Sequence, residues 1–286
     1  PYRHSGYSTY FDGSGDYLST SAVVLSNSTA FTIEMWYYNT SSGTGQEALI
    51  CQRNASSPYN GWRIFNNSGA TNQLRFYNGT GWVTIASNLA KNQWHHIAVV
   101  SQGSGSGQGQ CYLNGVAAGS AFTTSSSINY STNLHIGTDN AVTSRAMEGY
   151  LRDVRVVNGT AIYTGNFDVP TEPLTAVTNT SLLTCHLPYI ADGSTNSHSI
   201  TVSGNTNTEP WSPFDHSGYT AASHGGSMHF DGSGDYLVTG ADADQFVNSG
   251  NTGTIEMWLR LDAFTSPRTT LCGHWTGSSG WTFDLN

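Results

Sequence analysis

From Phe31 to Tyr38 the chain reads FTIEMWYY, a strict two-residue alternation. Phe31, Ile33, Met35 and Tyr37 fall on one face; Thr32, Glu34, Trp36 and Tyr38 fall on the other. That period predicts a strand with one side in a core. Further strands are predicted at LRFYN (74–78), WVTIAS (82–87), HHIAVVS (95–101), QCYLNG (110–115), LHIG (134–137) and GYLRDVRVVNG (149–159). The dipeptides Asn78-Gly79, Asn114-Gly115 and Asn158-Gly159 mark tight turns, because Asn and Gly tolerate the positive φ that such turns need. GSGSGQG at 103–109 reads as a long flexible hairpin loop. The proline-spaced NFDVPTEPLTAVTNTS at 166–181 reads as an extended arm along the outside of the domain. No helix is predicted, and ADADQF at 241–246 offers at most one turn. Many short antiparallel strands separated by turn signals predict a β-sandwich or jelly roll.

The pattern also repeats. FDGSGDYL occurs at Phe11–Leu18 and again at Phe230–Leu237, preceded by PYRHSGY (1–7) in one place and PFDHSGY (213–219) in the other. TIEMW recurs at 32–36 and 254–258, LICQ (49–52) answers TLCG (270–273), and NGWRIF (60–65) answers SGWTFD (279–284). The offset drifts only between 212 and 222 residues. One nearly complete unit and the first third of a second are therefore expected, within a longer natural protein, since a third of a β domain cannot close its own core. The expected boundaries are a first domain with its arm at 1–187, a linker and lead-in strand at 188–213, and a truncated second domain at 214–286.

Composition narrows the function. Only 10% of the 286 residues are charged, the net charge is −9, and Lys91 is the single lysine. No basic patch large enough to follow a phosphate backbone is available, which argues against nucleic acid. An acidic chain without a long apolar run or a basic amphipathic segment argues against membrane insertion. Cys51, Cys111, Cys185 and Cys272 lack the paired spacing of zinc or redox sites. Cys51 and Cys272 occupy the same position in the two copies and read as small buried apolar residues, not as partners to each other. The sequons at Asn27, Asn54 and Asn158 carry no weight in a chain this rich in Ser, Thr and Asn.

YFDGSGDYLST, FTIEMW, NQWHHIAVV, CYLNGVAAG, LHIG and GYLRDVRVVNGTAIY resemble, in that order, the laminin-G-like, concanavalin-A-like jelly roll. The resemblance implies an all-β antiparallel sandwich. DGSTNSHSITVSGN, ahead of the second copy, looks like the family's lead-in strand. The closing stretch DVRVVNGTAIYTGNFDVPTEPLTAVTNTSLLTC is similar to modules in large structural proteins of tailed bacteriophages. That likeness implies a non-enzymatic structural or adhesion module of a virion fibre, tail or head decoration at the virion surface. Its partners would be other virion proteins, further copies of itself and host-surface glycans. The alternatives are a secreted or cell-surface bacterial lectin or adhesin, or the carbohydrate-binding module of a polysaccharide-degrading enzyme.

The candidate sites follow. Glycosidases of this fold carry three carboxylates in register on one strand, and Glu34 stands alone between Thr32 and Trp36, as does Glu256 in the second copy. Glycoside hydrolysis is therefore not expected. His95 and His96 are neighbours on a strand, point to opposite faces and cannot grip one metal ion; they read as orienting a turn and capping a sheet edge. Asp12 and Asp16 enclose GSG, and two readings are open: a bulged turn whose carboxylates bond backbone amides, or a calcium loop. In related domains calcium lies near the ends of the first and last strands. The resemblance then implies Asp153 as a third ligand and Glu148 within range, with Asp231 and Asp235 as second-copy counterparts. Arg152, where the family is often acidic, departs from that pattern. For glycans, aromatic rings off the core register are the candidates. Trp36, Trp62 and their counterparts Trp258 and Trp281 suit packing, Tyr38 lies off that register as well, and Tyr59, Tyr77 and Trp82 are expected at the surface.

Overall fold

The alternation of Phe31–Asn39 (β3) is realised at the centre of a sheet, where Phe31, Ile33, Met35 and Tyr37 are all fully buried in the main core. The computed structural model describes residues 6–22, 24–25, 30–54, 56, 60–67, 71–128, 133–214, 228, 230, 233–238, 254–257, 259, 268–275 and 280–285. The chain divides into two units, Pro1–His224 and Gly225–Asn286. ADADQF at 241–246, Tyr59, Asp231 and Trp258 lie outside the described residues. No helix among the described residues is long and apolar enough to cross a membrane.

The first unit is an antiparallel sandwich of concanavalin-A-like jelly-roll type. Its first sheet runs β10 (Val116–Phe122), β9 (Gly109–Leu113), β8 (Trp94–Ser101), β3, β12 (Glu148–Asn158), β1 (Ser8–Asp12), β15 (Asn207–Glu209). Its second sheet runs β14 (Thr201–Ser203), β2 (Tyr17–Thr20), β11 (Leu134–Ile136), β4 (Gln46–Arg53), β5 (Gly61–Asn67), β6 (Gln73–Tyr77), β7 (Trp82–Ala86). One core joins them: Ile33, Met35, Ile97, Val99, Leu151 and Val156 from the first sheet meet Ile50, Trp62, Ile64, Leu74 and Phe76 from the second.

The eleven residues of β12 serve two neighbours on one side. Gly149–Leu151 pair with β1, and Val154–Val157 pair with β13 (Thr180–Thr184). Between the two halves Asp153 adopts φ +51°, and the register against β3 shifts between Arg152 and Arg155. The extra residue resets the alternation, so Leu151 and Val154 both enter the core although three positions apart.

Thr201–Ser203, expected as the lead-in strand of a second copy, pairs here with β2 of the first unit. Six residues on, β15 pairs with β1. The β14–turn–β15 segment thus crosses between the sheets of the first unit and adds an edge strand to each. In the second unit, β16 (Thr269–Trp275) and β17 (Gly280–Leu285), the segments answering β4 and β5 in sequence, form an antiparallel pair of their own. Ile255 and Met257, answering Ile33 and Met35, are each 41% exposed.

Candidate functional site

The carboxylates of the repeated loop are already engaged. Asp12 Oδ1 accepts from Ser14 N (2.7 Å), and Asp16 Oδ2 accepts from Asp12 N (3.0 Å). Asp16 Oδ1 accepts from Asn205 N (2.7 Å). With its nitrogen turned to the loop, the Asn205 amide donates to Asp16 Oδ1 (3.0 Å) and Asp12 Oδ2 (3.1 Å). All four oxygens face N–H donors, the arrangement of a turn that bonds backbone amides. Asn205 belongs to the turn between β14 and β15, so FDGSGDYL is the joint on which that crossing segment is fastened. Glu148 stands opposite Asp12 in the β1–β12 register. Asp153 lies farther along β12, buried, and accepts from Arg152 Nε at 3.1 Å. Among the described residues no three of His, Cys, Asp and Glu come together to hold a metal ion, so Asp12, Asp16 and Asp153 do not form one site. Asp235 is exposed.

The outer face of the first sheet carries Glu34, Trp36, Tyr38, Trp94, His96 and Arg155, and the chain itself covers it. Glu34 is fully buried; Oε1 accepts from Arg155 Nε (2.9 Å) and Nη2 (2.6 Å), and Oε2 accepts from the Tyr163 hydroxyl (2.8 Å). His96 Nε2 lies 3.3 Å from Oε2. Burial pushes the Glu34 carboxyl up, but His96 and Arg155 outweigh it and the net shift is downward. This is a structural ion cluster, not a general acid open to substrate. His96 sits within the sheet between Trp36 and Phe167, not at an edge, while His95 Nε2 faces Ala90 O at 2.9 Å. Tyr163 and Phe167, from the segment after β12, stack with centroids 3.5 Å apart; Phe167 in turn packs against Tyr112. After β15, Trp211 packs against Tyr38 (4.4 Å), Tyr150 (4.5 Å) and Trp94 (5.2 Å), and Phe214 against Trp36 (6.1 Å). Trp36 and Tyr38 therefore serve packing.

The second sheet is different. Ile64, Leu74, Phe76, Val83 and Ile85 point inward, and alternation sends Arg63, Phe65, Arg75, Tyr77 and Trp82 outward. Trp62, considered above as lying off the core register, is fully buried in the core. The register aligns Arg63, Tyr77 and Trp82 across β5, β6 and β7. The Arg63 guanidinium carbon lies 4.8 Å from the Tyr77 ring centre, 4.7 Å from Trp82 and 5.2 Å from Phe65. Arg75 lies 4.4 Å from Trp82, and Tyr77 and Trp82 are 5.2 Å apart. Two of the three surface aromatics expected from the sequence thus meet, with two arginines the sequence reading did not single out. Burial, then the like charges of Arg53 and Arg145, lower the Arg63 pKa to about 10 despite the opposing pull of Asp139. Trp82 is 37% exposed and also lines an open groove of about 570 Å³ with Asn78, Thr80, Thr84, Ser120 and Thr123. Rings for stacking, cationic donors and a hydroxyl- and amide-lined groove are the components of a saccharide subsite.

Burial accounts for three of the four cysteines, whereas Cys272, expected to be buried like Cys51, is half-buried. Cys51, Cys111 and Cys185 are buried and unoxidised, and burial raises all three thiols, Cys51 and Cys185 to about 12. They are not nucleophiles at neutral pH.

The architecture and this face define a lectin-like β-sandwich. The chain belongs to the concanavalin A-like lectin/glucanases superfamily, whose laminin G-type family it matches over residues 12–161. No curated protein sequence matches it. Among solved structures, a proposed carbohydrate binding protein from Bacteroides ovatus shares the fold at 15% identity and TM-score 0.51, over 71% of this chain and 59% of that one. The chain thus spans about three fifths of that protein's length. A heptameric SAP-like pentraxin from Limulus polyphemus (15% identity, 57% of this chain and 81% of that one, TM-score 0.43) is also similar. So are domains LG4-5 of the mouse laminin alpha1 chain (18% identity, 57% and 44%, TM-score 0.38).

Proposed function

We propose that this chain is a non-enzymatic carbohydrate-binding module, and that sugar docks on the outer face of β5–β7 around Trp82. The observation that carries the reading is the contrast between the two outer faces. The first is sealed by Tyr163, Phe167, Trp211 and Phe214, whereas the second gathers Tyr77 and half-open Trp82 beside a polar groove. Burial of Glu34 with Arg155 supports a binding role over hydrolysis. The repeat and the phage-like closing stretch support placing the module in a virion fibre, tail or head decoration, where repeated sandwiches would present this face to host-surface glycans.

A glycan array probed with the whole chain and with Trp82→Ala tests the docking face. Saccharide hits should appear with the unaltered chain and fall roughly tenfold in the variant, as expected for loss of one stacking platform. Thermal midpoints should stay equal. No hits above background, or hits that Trp82→Ala leaves unchanged, would overturn the reading. Labelling of purified virions with an antibody to the chain tests the virion assignment, and unlabelled particles would remove it.

A further inference from the structure

Resting on the reading that sugar docks over β5–β7, we propose that the saccharide is anionic and that Arg63 and Arg75 receive its carboxylate or sulfate group. The chain carries a net charge of −9 and only ten lysines and arginines. Four of those ten, Arg53, Arg63, Arg75 and Arg145, lie on the outer side of the second sheet or the loop over it. The carboxylate that answers them is Asp139, and it is already engaged. Its two oxygens accept from Arg53 Nε (3.0 Å) and Nη2 (2.8 Å), and Oδ2 accepts from Arg145 Nη1 at 2.8 Å as well. Among the described residues, the Arg63 and Arg75 side chains form no ion pair by contact: Asp139 acts on Arg63 only through space, and the Nε atom of each arginine is buried without a hydrogen-bond partner.

A cationic group left without an anion in an acidic protein needs a reason. Here the rings supply pre-organisation in place of charge compensation. Phe65, Tyr77 and Trp82 surround the Arg63 guanidinium, and Trp82 also carries Arg75, so both planar forks are held beside the same exposed indole. Arginine held in this way presents parallel N–H groups that match the paired oxygens of a carboxylate or sulfate. The single lysine, Lys91, is occupied elsewhere, donating to Ser41 O. A sugar ring stacked on Trp82 would bring its acidic substituent to the arginines while neighbouring sugars follow the groove lined by Thr80 and Ser120. Burial and the like charges of Arg53 and Arg145 destabilise the Arg63 cation, which stays protonated at neutral pH, and an anionic ligand would offset that cost.

Calorimetric titration of the whole chain with three oligosaccharides of equal length tests this: hexagalacturonate, a sulfated galactan hexasaccharide and neutral cellohexaose. At least one acidic probe should bind roughly tenfold or more tightly than the neutral one, the loss expected for one charge-assisted contact. Its affinity should fall as salt rises. Arg63→Gln and Arg75→Gln should each remove that preference, and Arg75→Lys should restore it only in part, because charge returns without the fork. Preference for hexagalacturonate assigns a uronate, and preference for the sulfated probe assigns a sulfate ester. Neutral binding as tight as acidic binding, or acidic binding indifferent to both arginine variants, overturns the inference and leaves the docking face standing. Binding of none of the three, with no array hits either, removes the docking reading itself. Circular dichroism of each variant separates lost binding from lost folding.

Discussion

Replacing Glu34 by Ala would leave Arg155 buried with its carboxylate removed. The structure assigns Glu34 four contacts: Arg155 Nε and Nη2, the Tyr163 hydroxyl and His96. Removing one member of a buried ion pair costs about 3–5 kcal/mol, because the remaining charge stays desolvated. Whole domains are stable by only about 5–15 kcal/mol, so roughly a fifth of the stability or more is at stake. At about 2–4 °C per kcal/mol for a domain of this size, the thermal midpoint should drop by roughly 10 °C. Urea unfolding followed by tryptophan fluorescence measures this directly, since Trp36 lies on the same face beside His96. The double variant Glu34→Leu with Arg155→Met should recover most of the loss, because well-packed apolar residues replace a buried pair at little cost. The pH dependence gives an independent check. The folded-state pKa of Glu34 is lowered below its reference value of 4.5. Its contribution is therefore fully present above that value and is lost as pH falls through the folded pKa. The stability gap between the unaltered chain and Glu34→Gln should accordingly shrink on acidification below about 4.5. A loss under about 1 kcal/mol in Glu34→Ala would show that this face is hydrated and that the covering segment does not seal it.

Asp153 should behave with the opposite sign. Burial outweighs Arg152 and raises its pKa from 3.8 to about 6, so the native state binds more protons between those values and stability from this group declines as pH rises through 6. Asp153→Asn keeps a residue tolerant of positive φ and should abolish a decline on the order of 3 kcal/mol; parallel slopes of urea midpoint against pH in both proteins would refute this. Gly204→Ala should cost roughly 2 kcal/mol, since φ is +73° and the new methyl would stand 2.1 Å from Asp16 Oδ1. Hydrogen exchange should then accelerate in 201–209 before the rest of the sandwich, and unchanged protection there would refute the joint assigned to FDGSGDYL.

The sandwich was legible because alternation is local. The run 31–38 and the Asn-Gly turns need no distant information, whereas the strand order of each sheet joins segments far apart in the chain. What covers a face is not local. Trp36 and Tyr38 look like surface aromatics until Trp211 and Phe214, far along the chain, pack over them. Trp62, read as a packing residue because it recurs with the core, is one: alternation along β5 turns it inward with Ile64 and sends Arg63 and Phe65 outward. Arg63 and Arg75 carried a signal that went unread. GWRIF and QLRFY alternate, so each arginine sits opposite the inward residues Ile64 and Phe76 that neighbour it. Their meeting depends on the β5–β6 register, which pairs Arg63 with Tyr77 and Arg75 with Phe65, and register across a hairpin is set by turn geometry not visible in the strands. The repeated FDGSGDYL stood out strongly, yet its partner Asn205 lies 189 residues from Asp16.

The β15–β1 pairing has a mechanical consequence. Ser8 lies opposite Glu209 and Tyr10 opposite Asn207, so the chain enters and leaves this sheet on adjacent strands at the same end. Tension applied through the two ends would load the Ser8–Glu209 rung first and then the next, peeling the pair open one rung at a time instead of shearing all rungs together. Strand β15 would thus yield at low force while β3, β8 and β12 remain locked, and its release would carry Trp211 away from Tyr38, Trp94 and Tyr150. A module built this way would let out a short length of chain under load, losing only the edge strands β15 and β14 while β5, β6 and β7 stayed paired.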